Sequence, residues 1–162
     1  MRTKIFFTTA KNIFIFSFTC IALASCAGKT SEEALETKKL LDKLQTRTEV
    51  GINQKEYGNS LADLKYAYKQ IENEKEKEAF EKLIKIHEVT YSFWKACYSS
   101  RHTYNCPTEG QPMQLVLTSF PEIKDKQDDY TMFLLGAYQW NTNSVVSELW
   151  TIADRELEKI EL

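Results

Sequence analysis

The chain reads as an all-α protein, an antiparallel bundle of four to five helices behind an N-terminal segment that does not belong to the fold. Three observations carry this reading. Apolar residues recur at steps of three and four over separate segments, the spacing that lines one face of an α-helix. Cap residues stand before two of these segments, each with an acidic residue three positions on. Residues 1–25 have the layout of an export signal and are set aside. That leaves residues 26–30 as a short tether and residues 31–162 as a single helical domain, a length that supports one core.

Thr30 with Glu33 forms the capping pair that opens the first helix. Leu35, Leu40, Leu41 and Leu44 are its apolar positions, and Gly51 is its stop. Asn53 with Glu56 repeats the pattern ahead of Tyr57, Leu61, Leu64, Tyr68 and Ile71. Residues 72–78, a run of Glu, Lys and Asn, read as a solvated turn or helix end. The third segment has the widest stripe: Phe80, Ile84, His87, Tyr91, Trp94 and Tyr98, flanked by Leu83, Ile86, Phe93 and Cys97. So broad a face predicts contact with at least two other elements. Glu78 with Lys82 and Glu81 with Lys85 are supporting pairs on its wet side.

A polar loop with Pro107, Gly110 and Pro112 follows. Residues 113–118 read as a short strand or an irregular apolar segment, residues 119–122 as a helix start, and residues 130–140 as a buried stretch. Val146, Leu149, Ala153, Leu157 and Ile160 line the last helix, with Val145, Trp150 and Ile152 beside them. The pattern leaves open whether Asn141-Thr142-Asn143 breaks that helix from the preceding segment.

At the N-terminus, Arg2, Lys4 and Lys11 lead into an apolar stretch over residues 13–23, with no acidic residue among the first 31. Such a stretch is short for a hydrocarbon core about 30 Å thick. It predicts a cleaved signal. Its end, Leu23-Ala24-Ser25-Cys26, resembles the lipobox of bacterial lipoproteins. Cys20 competes poorly, because Phe18 and Thr19 before it are bulkier than Ala24 and Ser25. The resemblance implies that Cys26 is the lipidated first residue of the mature chain and that the membrane is a partner through this lipid. Each buried methylene of an acyl chain contributes about 0.8 kcal/mol. With Ala27 after the Cys, the lipoprotein class implies the outer membrane, facing the periplasm, in a Gram-negative host.

Removing Arg2, Lys4 and Lys11 from 21 basic and 23 acidic residues leaves 18 against 23, a net charge of −5. The signs are interspersed and no basic stripe exists to neutralise phosphates, which argues against a nucleic-acid partner. In the oxidising compartment that export implies, the two remaining cysteines, Cys97 and Cys106, predict a disulfide. By loop-closure entropy it stabilises by roughly 2.5–3 kcal/mol. A competing metal reading, Cys97-x4-His102-x3-Cys106, supplies three ligands at a spacing unlike paired zinc motifs. No metal and no cofactor is expected.

A second resemblance lies on Val50-Gly51-Ile52, with Leu44 and Thr48-Glu49 before it and Tyr57 after it. This is similar to a pattern in small helical bacterial proteins of unknown function, which also carry tryptophans near the positions of Trp94 and Trp150. It implies a helical fold and no activity, and the Cys97–Cys106 loop is not part of it.

Ingredients for catalysis are sparse. His87 sits on an apolar stripe, the position of a core histidine, and His102 reads as a loop residue. Asp128-Asp129 reads as a solvated pair, and Ser99-Ser100 near His102 lacks a glycine elbow and a third group. No catalytic residue is expected. Aromatics are plentiful: Tyr57, Tyr66, Tyr68, Tyr91, Phe93, Trp94, Tyr98, Tyr104, Tyr138, Trp140 and Trp150. Aromatic side chains with polar tips are common interface anchors. The expectation is a lipid-anchored cell-envelope binding module whose partner is an envelope protein or a small ligand. Alternatives are a self-associating structural lipoprotein, or an envelope inhibitor or immunity-type protein. The last would act through the Cys97–Cys106 loop, with Arg101, His102, Tyr104 and Asn105 as its contact residues.

Overall fold

The computed structural model describes residues 30–99, 105–107, 110–134 and 137–162. Among the described residues the order is α1 (Glu32–Val50), α2 (Gln54–Gln70), α3 (Glu74–Ser99), β1 (Asn105–Pro107) and α4 (Gln111–Ser119). A 3-10 helix (Pro121–Lys126) follows, then α5 (Gln127–Tyr130), β2 (Thr131–Leu134), β3 (Ala137–Asn141) and α6 (Thr142–Leu157). The helical bundle is present, with a small sheet added to it.

The first helix starts one residue later than its sequence pattern predicts. Ser31, not Thr30, is the N-cap, its Oγ accepting from the Ala34 N–H at 3.1 Å. The reciprocal carboxylate of the capping pair comes from Glu76 on α3 instead of Glu33. Glu76 accepts from the Ser31 N–H at 3.0 Å and from its hydroxyl at 2.5 Å. Residues 72–78 are therefore not simply solvated. Asn73 caps α3 by accepting from the Lys75 and Glu76 N–H groups, and Glu76 ties the starts of α3 and α1 together.

The buried stripe of α1 is Ala34, Thr37, Leu41, Leu44 and Thr48. Leu35, predicted as apolar face, is 52 % exposed. It is one position beyond Ala34, and one residue turns about 100° around a helix. Gly51 ends α1 with φ +98°, a conformation that side chains with a Cβ disfavour. Asn53 then caps α2, its side chain accepting from the Glu56 N–H at 2.9 Å. The Val50-Gly51-Ile52 motif is thus the turn between two capped helices.

With 26 residues α3 spans about 39 Å and packs against α2, α4, α6 and β1. Helix α6 runs antiparallel to it. Lys82 Nζ meets Glu156 at 3.0 Å near one end, and the Trp94 and Trp150 rings lie 5.5 Å apart towards the other. Lys82 therefore pairs across to α6 and not with the predicted Glu78.

Downstream of the disulfide the sequence reading needs more correction. Residues 113–118 are helical: α4 starts with Pro112 in its first turn and buries Met113 and Val116. Thr131–Leu134 and Ala137–Asn141 pair antiparallel as β2 and β3, and β3 also pairs with β1, in the order β1-β3-β2. Trp140 packs inward, while Tyr138, two residues before it, stays exposed. Asn141 caps α6 by accepting from the Ser144 N–H, so Asn141-Thr142-Asn143 is a break. Glu148 on α6 fastens the 3-10 helix and α5, accepting from Lys126 Nζ at 2.8 Å and from the Tyr130 hydroxyl at 2.9 Å. Burial raises the Glu148 pKa, but these two donors outweigh it and hold the carboxyl below its usual range.

Candidate functional site

Two places combine chemistry-bearing side chains. The first is internal. Tyr57 and His87 are 0 % and 2 % exposed, and the Tyr57 hydroxyl lies 2.7 Å from His87 Nδ1. Burial pushes the imidazole down to about 4 and the phenol well above its usual range, so both are neutral at neutral pH. The Trp150 indole and the Thr90 hydroxyl oppose the phenol's shift more weakly, and Trp150 Nε1 reaches no hydrogen-bond geometry. Trp150, Trp94 and Tyr91 surround Tyr57 with ring centroids 5.7, 5.8 and 6.3 Å away. Tyr91 lies over Gly58, where an added Cβ would stand 2.7 Å from the ring. The cluster binds α2, α3 and α6 to one another from the inside.

The second place is the sheet. A disulfide joins Cys97 on α3 to Cys106 on β1, and Cys106 pairs with Trp140 across the β1–β3 ladder. Both pack inward, at 2 % and 1 % exposure. Residues opposite one another, and residues two apart, share a sheet face. The registers Thr131↔Trp140 and Phe133↔Tyr138 therefore put Phe133 and Tyr138 on the Trp140 face. Yet Phe133 and Tyr138 are each 62 % exposed, their rings 5.3 Å apart and edge to face. The core-facing side of the hairpin outruns the helices it packs on. Residues 110–121 and 130–147 hold no Asp, Glu, Lys or Arg, in a chain that is 27 % charged, while Asp128 and Asp129 stand exposed on α5 directly before β2.

Of the sequence-predicted site residues, Cys26 lies outside the described residues, as do Arg101, His102 and Tyr104. Asn105 is in β1, paired with Asn141. Because Cys97 and Cys106 are bonded to each other, the competing Cys97-His102-Cys106 metal reading loses two of its three ligands. Among the described residues no group of three or more His, Cys, Asp or Glu is placed to hold a metal ion. Tyr57, Phe93 and Trp140 are core, and Tyr68, Tyr91, Trp94 and Trp150 pack half-buried against it. Tyr66, Tyr98 and Tyr138 are exposed, and Tyr104 is outside the described residues. The residue sequence reasoning missed is Phe133. Its signal was the charge-free tract, in which a helical stripe is lacking.

Open grooves lie on the helical surface. One, about 720 Å³ between α2 and α3, sets Lys65, Lys69, Lys82 and Lys85 among Glu78, Glu81 and Glu88. Another, about 540 Å³ between α1 and α2, sets Glu32, Glu33, Glu36 and Asp63 around Leu40, Tyr66 and Ala67. No helix of the described residues is long and apolar enough to cross a membrane. Compared with protein-family models, curated proteins and solved structures, the chain has no match.

Proposed function

We propose that this protein is a lipid-anchored component of the cell envelope whose helical domain is an interaction module, and that it meets its partner through the sheet. The observation that carries the reading is the Phe133–Tyr138 pair, two large rings left 62 % exposed on the same sheet face as the buried Trp140. Burying such rings on association is what binding surfaces use aromatics for. The export-signal layout of residues 1–25 and the lipobox resemblance at Cys26 support the envelope address.

Position supports the reading too. The tether meets the fold at Ser31, which Glu76 fastens to the start of α3. Cys97, bonded to the sheet, lies about 30 Å further along α3 at 1.5 Å per residue. The lipid would sit at one end of the molecule and the sheet at the other, facing away from the anchoring membrane.

Two experiments test this. Cys26→Ala should abolish incorporation of a clickable fatty acid, and labelling that persists refutes the anchor. In cross-linking on intact cells, Phe133→Ser with Tyr138→Ser should lose the adduct that the wild-type chain forms, while Tyr66→Ser on α2 should keep it. If instead Arg101→Ala with Tyr104→Ala loses the adduct and the hairpin variant retains it, the disulfide-closed loop is the contact site and the inhibitor-type reading takes over.

A further inference from the structure

Away from the sheet, we infer that the groove between α1 and α2 binds a linear polyamine, an alkyl chain carrying two or more ammonium groups. The groove holds about 540 Å³, within the range of small-molecule sites, and its charged lining has one sign. Glu32, Glu33 and Glu36 come from α1 and Asp63 from α2, and among the described residues no Lys or Arg lines it. Leu40 and Ala67, both half-buried, give it apolar surface, and the Tyr66 ring stands 71 % exposed on the same lining. Helix α2 sorts its charges to produce this. Lys65 and Lys69 line the groove on the α3 side, where Glu78, Glu81 and Glu88 balance them and Lys65 pairs with Glu88. Asp63, Tyr66, Ala67 and Gln70 line the α1 side. There Glu36 meets Lys39 of its own helix at 3.5 Å, an exposed contact of the kind that contributes little. Glu32, Glu33 and Asp63 have no ion-pair partner among the described residues.

Shape chooses among cations. Carboxylates that met at one point would suit a metal ion, yet among the described residues no three acidic groups converge to hold one. These are strung out instead: Glu32 and Leu40 stand about 12 Å apart along α1 at 1.5 Å per residue. A compact inorganic cation also gains nothing from Leu40, Tyr66 and Ala67. A polyamine matches both features. Its ammonium groups, separated by short alkyl spacers, meet the carboxylates in turn, while its methylenes cover Leu40 and Ala67. An ammonium over the Tyr66 ring adds a cation–π contact. Gln70 donates from Nε2 to the Tyr66 carbonyl at 3.4 Å, which leaves its Oε1 to accept an ammonium proton.

The test uses the full lipidated chain in phosphatidylcholine vesicles, whose zwitterionic headgroups do not compete for polycations. Isothermal titration with spermidine at low ionic strength should give saturable one-to-one binding that weakens as salt is added. Glu33→Gln with Asp63→Asn should raise the Kd at least tenfold, while Glu78→Gln with Glu81→Gln in the α2–α3 groove should leave it within twofold. Tyr66→Ala, which keeps every carboxylate, should raise it at least threefold, and it decides alone should the first pair fail to fold. Absence of saturable binding overturns the inference, as does an equal loss from the two pairs of substitutions. Displacement of spermidine by Mg²⁺ at equal charge concentration overturns it too. If spermidine does not bind but a Lys-rich helical peptide does, in a way that depends on Glu33 and Asp63, the groove serves a peptide and the polyamine is wrong. All of these outcomes are separate from the Phe133–Tyr138 surface, so the sheet reading stands or falls on its own cross-linking test.

Discussion

Residues 30–99 and residues 105–162 are held together differently. The first part is three helices joined by turns of a few residues, each start capped by a neighbouring side chain, with ion pairs such as Arg47–Glu56 and Lys65–Glu88 on its surface. The second part joins two longer helices through a 3-10 helix, a one-turn helix and a hairpin, and much of it carries no charge. Its fastenings are distant in sequence: Cys97–Cys106, Trp140 packed with Cys106, and Glu148 reaching Lys126 and Tyr130. Local signals suffice where a helix can choose itself. Where the backbone turns into a sheet, partners far along the chain decide.

The largest expected effect tests whether the sheet belongs to the core. Trp140→Ala should destabilise by about 3–5 kcal/mol in urea titrations, because the ring is 1 % exposed. Phe133→Ala on the same face should cost under about 0.5 kcal/mol. Equal costs at the two positions would erase the distinction between the anchored and projecting parts of the hairpin.

The helical part has its own signature, a dependence on pH. His87 titrates near 4 when folded against an ordinary 6.5, so between these values the unfolded chain takes up a proton that the native state refuses. Stability is therefore complete above about pH 6.5 and falls as pH drops towards 4, by about 3 kcal/mol in all. Urea midpoints at pH 7, 6 and 5 should show the slope, and His87→Gln should flatten it. A slope that survives the substitution would place its source elsewhere.

Reduction separates the parts further. Opening Cys97–Cys106 should cost roughly 2.5–3 kcal/mol by the loop-closure relation, with Trp140 fluorescence responding before the helical circular dichroism signal. With Cys26 and Cys20 absent, thiol titration of the unreduced protein should find no free sulfhydryl. Two reactive thiols would remove the fastening on which the sheet's placement rests.

Smaller still is Gly58→Ala. Its Cβ would stand 2.7 Å from the Tyr91 ring and displace it. The helix gains up to about 1 kcal/mol from alanine while overpacking costs about 1–3, for a net loss near 1 kcal/mol. Least of all, Glu88→Gln should remove the half-exposed pair with Lys65 at under about 0.5 kcal/mol.

Much of the fold was legible in the residues. The stripe from Phe80 to Cys97, the Asn53 cap, the Gly51 stop and the Cys97–Cys106 pairing all stand where spacing and composition put them. Of the candidate contact residues, Tyr138 was visible as one aromatic among many, and nothing local distinguished it from Trp140 two positions on. Phe133 was marked only by lying in a tract without charge or helical stripe. Exposure in a hairpin depends on where the helices beneath it end, and that boundary is not encoded in the strand.

By itself the sequence determined the helical class, the Asn53 cap, the Gly51 stop, most of the apolar stripes of α2 and α3 and the cysteine pairing, because each follows from interactions over a few residues or from cysteine count. Tertiary structure alone decided that Glu76 completes the cap of α1, and that residues 113–118 are helical while Thr131–Leu134 and Ala137–Asn141 pair as strands. It also decided which aromatics project. Short apolar segments satisfy helix and strand equally well in isolation, and only the partners that bury them, here α3, α6 and the bonded β1, fix the choice.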